Sequence, residues 1–384
     1  MVGGLILALL FATQGKTGHR PPDLNNAQLS IRYLRQEPYG GMPRYGSDTA
    51  PYLITQTFEP YKGPPTNDPG DTKPLTFTLE KPGKDGWKYT GKSDDQTMEV
   101  LADANVAIAY QRWEHNGFTV LNAKTGTKMW SHKPTARGKH VGIALHDGVL
   151  YLWEKGLFTA LNPATGTPIW SQPLEADKED FEVPPIRIKE GRIFIALLVK
   201  DRAHLYCLDA RTGEKIWNRD VGFKIKDFAV TTKRVVTYQD IRKRETQDPI
   251  MTMVCLDAGS GVQIWNIPVD RAACLYEPEA TDDVVFLPGC RSPSFLYKLS
   301  DGSLIKKFDM IVSTTLFGPY VLEIDDSDGL RIILAETGER IGRIQLAKDE
   351  IWEFHAVQDR LLILYSKTST WPHTNQVYEI SRSK

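Results

Sequence analysis

Four near-copies of one ten-residue stretch constrain this chain more than any other feature. They read LNAKTGTKMW (121–130), LNPATGTPIW (161–170), LDARTGEKIW (208–217) and LDAGSGVQIW (256–265). Their glycines are Gly126, Gly166, Gly213 and Gly261, and two looser copies, KLSDGSLI and LAETGERI, add Gly302 and Gly338. The successive intervals are 40, 47, 48, 41 and 36 residues. Between the copies run short segments rich in Val, Ile, Tyr and Phe, such as VGIAL, GVLYLW, RIFIALL and RLLILY, and no sustained helical period follows residue 73. Strands repeating every ~40 to 45 residues predict an all-β fold, a β-propeller of four-stranded blades.

Each position of the unit has a mechanical role. Asp or Asn at 122, 162, 209 and 257 starts a turn by bonding the backbone just ahead. The glycine supplies the positive φ that a hairpin turn needs. Trp130, Trp170, Trp217 and Trp265 follow four residues later, on an outer strand, where a large aromatic can wedge between neighbouring blades. A blade cannot bury its own faces, so the copies need one another. The first two extend further: FTVLNAKTGTKMWS and FTALNPATGTPIWS agree at nine of fourteen positions, the mark of internal duplication.

Six turns give six blades, and EFHAVQ, RLLILYS and QVYEIS supply three strands of a seventh. Its missing outer strand is expected from the N-terminal side, with LTFTLE at 75–80 pairing near 375–381 to clasp the ring. Seven blades is the expected count and eight the alternative, because 75–105 reads ambiguously.

The N-terminal region differs in composition. Residues 1–15 contain VGGLILALLFA, too short for a bilayer span of about 20 residues and similar to the apolar part of a signal peptide, though without a positive start. Export, to the periplasm or outside the cell, is the expectation; a mature packing segment is the alternative. Residues 16–72 read as a Pro-, Gly- and Tyr-rich arm, with one short helix expected within 24–36, and 73–384 as the propeller. Net charge is −1, which favours neither nucleic acid nor an acidic membrane surface. No transmembrane segment is expected after the signal, and a monomer is expected.

The unit L-[DN]-A-x-[TS]-G-x-x-[IM]-W, quoted above at blade spacing, resembles the repeat of the PQQ-like β-propeller superfamily, and the resemblance covers about 75–384. That superfamily includes quinoprotein dehydrogenases and non-catalytic members such as the lipoprotein scaffold of the outer-membrane β-barrel assembly machine. The resemblance therefore implies fold rather than function. In the dehydrogenases the quinone stacks between a tryptophan and a disulfide of adjacent cysteines, beside a Ca²⁺. This chain has four cysteines, none adjacent to another. No cofactor is expected, and the chain is similar to the non-catalytic branch: a scaffold binding a protein or envelope polymer on its loop faces. The alternative is an enzyme or carbohydrate- or small-molecule-binding protein that uses the central funnel.

Other chemistry finds little support. DDSDG (Asp325, Asp326, Asp328) lacks the spacing and distal Glu of an EF-hand and reads as an acidic hairpin tip. His140, His146 and His355 lie apart without metal-ligand spacing, although a site built from separate blades would not show in the sequence. IRKR (241–244) reads as a solvated loop, and no G-x-S-x-G occurs. Cys207 and Cys255 share one position in successive copies and read as buried packing residues. Cys274 and Cys290 flank a candidate hairpin centred near Asp282, where they would face each other; a bridge closing a loop of about 16 residues would contribute roughly 3 kcal/mol.

Overall fold

The computed structural model describes the backbone of residues 29–38, 53–57, 75–81 and most of 86–382. The breaks are at 94–97, 112–116, 134–140, 155, 177–184, 201, 223–226, 241–250, 270–273, 276–277, 291–292, 310–312, 325–328, 346–349, 358–359 and 368–373. Side chains are described within 78–343. All regular elements among these residues are β-strands. No helix there is long and apolar enough to cross a membrane.

Seven sheets are four-stranded and antiparallel. Blades 1 to 6 occupy 98–132, 142–173, 186–220, 228–268, 279–308 and 313–345. Blade 7 takes Glu350–Val357, Arg360–Lys367 and Thr374–Arg382, with Leu29–Pro38 as its fourth strand. The innermost strands touch in chain order, from Leu53–Thr57 to Met98–Ala102 and on, blade by blade, to Glu350–Val357.

Two N-terminal expectations are corrected here. LTFTLE does not reach the C-terminal strand: Leu75–Lys81 pairs with Leu53–Thr57 on one side and Trp87–Ser93 on the other, in a three-stranded sheet. The strand beside Thr374–Arg382 is Leu29–Pro38, from Leu29 opposite Arg382 to Pro38 opposite Thr374. It lies where a short helix and a proline-rich arm were expected. Its apolar residues Leu29, Ile31 and Tyr33 alternate with Ser30 and Arg32, a strand period, and the open edge of the last sheet pairs with one side of its backbone. The signal-like segment, DDSD at 325–328 and the basic run at 241–244 lie outside the described residues.

The core is a series of layers between blades. Trp153 and Phe158 of blade 2 pack with Ile193, Tyr206 and Leu208 of blade 3. Phe194, Leu205 and Cys207 of blade 3 pack with Val235, Val254 and Leu256 of blade 4. A second strand is therefore covered on both faces, which is why Val284–Leu287 and Tyr320–Ile324 are buried at every position instead of alternating. Outer strands alternate: in Pro168–Pro173 only every second side chain is sheltered.

Candidate functional site

The repeated unit builds a joint. In blade 1 the Asn122 carboxamide oxygen accepts from the Lys124 and Thr125 amides at 2.9 and 3.1 Å, and the Gly126 amide closes the turn on the Asn122 carbonyl at 2.8 Å. Asn162, Asp209 and Asp257 repeat the geometry with their own turn amides. Gly126, Gly166, Gly213 and Gly261 have φ of 68°, 72°, 76° and 70°.

Past the glycine the outer strand carries one extra residue. Register shifts leave Met129, Ile169, Ile216, Ile264, Ile305 and Ile341 unpaired in blades 1 to 6, one in each. Such a bulge adds local twist and re-aims the next side chain. In blades 1 to 4 that next side chain is the repeat tryptophan. Its indole leaves its own sheet and donates to a turn carbonyl of the following blade: Trp130 to Pro163, Trp170 to Ala210, Trp217 to Ala258 and Trp265 to Leu299, at 2.8, 3.2, 3.1 and 2.9 Å. The ring lies against the glycine of that turn. A Cβ on Gly213 would stand 2.5 Å from the Trp170 ring, and one on Gly261 2.8 Å from Trp217. Each glycine thus answers both a positive φ and a close aromatic approach.

Sequence reading missed two members of this series. Trp87 donates to the Ala123 carbonyl at 2.9 Å, and a Cβ on Gly126 would lie 2.5 Å from its ring. The three-stranded sheet is therefore docked onto blade 1 as the blades dock onto one another. It stands in the series as an eighth, shortened unit beside the seven four-stranded blades. The available signal was spacing: Trp87 precedes Trp130 by 43 positions, within the 40 to 48 of the others. The second is Lys306, in the tryptophan's place four residues after Gly302; its ammonium donates to the Gly338 carbonyl at 2.7 Å.

The acids of the turns have shifted titrations. The Thr212 amide is the main cause holding the Asp209 carboxyl below its ordinary range, and the Ser260 hydroxyl does the same for Asp257. A lowered folded pKa stabilises above the unfolded value of ~3.9, and the contribution is lost as pH falls through the folded value. The double variant Asp209→Asn, Asp257→Asn keeps the acceptor oxygens, as Asn122 and Asn162 do naturally. Thermal melts at pH 7 should fall modestly, because the share contributed by the ionised carboxylates is lost, and the further loss of Tm between about pH 4 and pH 2 should shrink. Identical acid profiles would remove the turns from the account of acid stability.

The innermost strands and the turns that follow them carry a second, polar set of joints. Arg187 of blade 3 pairs with the buried carboxylate of Asp227, which leads into blade 4, at 2.8 Å. Glu279 of blade 5 accepts from the Leu316 amide and from the Thr315 hydroxyl, at 3.2 Å for the latter, in blade 6. Asp282 of blade 5 accepts from the Thr232 amide and hydroxyl of blade 4 at 3.1 and 2.7 Å. These carboxylates hold blade to blade. No group of three or more His, Cys, Asp or Glu suited to a metal occurs among the described residues. Cys207 and Cys255 are free and buried, and burial pushes both thiols up to about 12. The backbone of Cys274 lies opposite that of Cys290 in a two-stranded ladder apart from the blades.

The sequence pattern of the outer membrane protein assembly factor BamB matches residues 114–236, 155–272 and 201–309, overlapping spans that together cover 114–309, just over half of the chain. The chain belongs to the BamB family. BamB from Moraxella catarrhalis superposes with a TM-score of 0.57 at 13% identity, covering 91% of this chain and 100% of that one. Sqt1 of Saccharomyces cerevisiae gives 0.58 at 9% identity, covering 91% and 99%. The computationally designed Ika8 protein gives 0.51 at 11%, covering 89% and 99%. No curated protein matches by sequence. At these identities the superpositions speak for the propeller, and the BamB family assignment comes from the repeats of blades 1 to 5.

Proposed function

We propose that this BamB-family chain is an exported, non-catalytic scaffold that binds a protein or envelope polymer on one end of its ring. The observation that carries the reading is the family match across 114–309 to a protein described as an outer membrane protein assembly factor. The polar joints between blades support it. Asp227, Glu279 and Asp282 are engaged in hydrogen bonds between blades, as expected of a rigid frame.

The two ends of the ring differ. Connections at the repeat-turn end are short, such as 147–148, 190–191 and 231–233, while the opposite end joins strands through 133–141, 174–185 and 241–250. Longer connections offer more recognition surface, and binding is assigned to that end. A photo-cross-linker replacing Lys200, exposed at the long-connection end, should capture an envelope protein or polymer in intact cells of the source organism. One replacing Asp147, exposed at the turn end, should not. Capture from Asp147 alone would reverse the assignment of ends. Recovery of the protein from the cytosol, with no adduct from either position, would overturn the scaffold reading.

The quinoprotein alternative has its own measurement. Purified protein titrated with PQQ and Ca²⁺ should show no stoichiometric binding and no dye-linked oxidation of alcohols or glucose. Micromolar binding with turnover would move the chain to the catalytic branch.

A further inference from the structure

Among the described residues, blade 5 is the one blade with a two-stranded appendage. Its first hairpin pairs Glu279 with Phe286 and Ala280 with Val285. Beyond it the same two chain segments meet again, with Cys274 opposite Cys290 and Leu275 opposite Gly289, as a separate two-stranded sheet. Two prolines make the separation. Pro278 lies between the two pairings on one segment and Pro288 on the other, and neither has an amide hydrogen to give a ladder. The register slips by one residue across the break.

A ladder of two residue pairs, cut off by prolines, has too few hydrogen bonds to define itself in water. Something other than the backbone must hold these segments together. The residues placed opposite each other at its far pair are both cysteines. Cα partners on adjacent antiparallel strands lie about 4.5 to 5.5 Å apart, within the range a disulfide spans. The remaining cysteines, Cys207 and Cys255, are each buried in inter-blade layers.

We infer that Cys274 and Cys290 form a disulfide that staples this appendage. It encloses residues 275–289, including the whole Glu279–Phe286 hairpin. The bond forms by thiol–disulfide exchange. A thiolate of the pair attacks the disulfide of a small-molecule or protein oxidant, and the mixed disulfide is resolved by the second thiol. The oxidant leaves as two thiols, carrying the two electrons and two protons that the cysteines lose. The enclosed segment supplies Glu279, whose carboxylate holds Thr315 and Leu316, and Asp282, whose carboxylate holds Thr232. The staple therefore restrains a stretch that fastens blade 5 to both neighbours.

The test uses the full chain, equilibrated with glutathione disulfide while folded. Free thiols are then blocked with one alkylating reagent under denaturing conditions, and the protein is reduced and labelled with a second. Peptide mapping should place the second label on Cys274 and Cys290 and the first on Cys207 and Cys255. The double variant Cys207→Ser, Cys255→Ala should give the same pattern at the remaining pair. Dithiothreitol should lower the Tm of the oxidised wild type by about 3 to 6 °C and leave that of Cys274→Ala, Cys290→Ala unchanged. First label on all four cysteines, glutathione retained separately on 274 and 290, or an equal response to reductant in the variant would each overturn the staple.

Discussion

Trp217→Ala is expected to destabilise the protein by about 4 kcal/mol, near the middle of the range for truncating a buried aromatic. Trp217 is the most enclosed of the repeat tryptophans, at 9% exposure. Its ring packs near Phe194 at 6.0 Å between centroids and lies over Gly261 of the next blade. The substitution removes these contacts, vacates a space flanked by Val235, Val254 and Leu256, and deprives the buried Ala258 carbonyl of its indole donor. Neighbouring blades are joined chiefly by such layers, so the damage should be local first: amides at the blade 3 to blade 4 boundary should exchange faster than those elsewhere. Urea denaturation gives the total, and hydrogen exchange gives the place. Wild-type stability with lost partner binding would make Trp217 a contact residue for the partner and remove it from the joint.

The same residue shows what the sequence could disclose. The tryptophan, the glycine and the Asp or Asn that opens the turn recur because one local geometry recurs, so spacing alone exposed the blades. What stayed hidden was set by contacts between distant segments. Leu29–Pro38 becomes a strand beside Thr374–Arg382 because the last sheet has an edge to complete, and nothing within 29–38 names that partner. Trp87 sits after KPGKDG instead of an L-[DN]-A-x-T-G turn, so its joint was disguised by an atypical approach although the spacing was right. The bulged Met129, Ile169, Ile216 and Ile264 read as ordinary strand residues, yet they are 38 to 55% exposed and serve by turning the following indole. The Arg187–Asp227 pair joins residues 40 apart in sequence, and only the ring brings them together.

Gly213→Ala should cost about 3 kcal/mol or more, and Gly191→Ala only about 1 to 2 kcal/mol, although both glycines are left-handed. Their φ values are 76° and 66°, so the backbone strain of an L-residue is nearly the same in each. Their surroundings differ. A Cβ on Gly191 meets nothing within 4 Å, whereas a Cβ on Gly213 falls 2.5 Å from the Trp170 ring. The excess at Gly213 therefore measures how firmly the blade 2 indole is pressed onto the blade 3 turn. That indole is held by its bond to the Ala210 carbonyl at 3.2 Å and by Tyr151 and Phe158 behind it, at 6.1 and 5.9 Å between centroids. Retreat from a new methyl group would give up those contacts. A double-mutant cycle separates the two costs. In a Trp170→Ala background the penalty of Gly213→Ala should fall to that of Gly191→Ala, because only φ strain remains. An undiminished penalty there would mean that the glycine answers only to its own backbone and that the wedge is not what holds this joint.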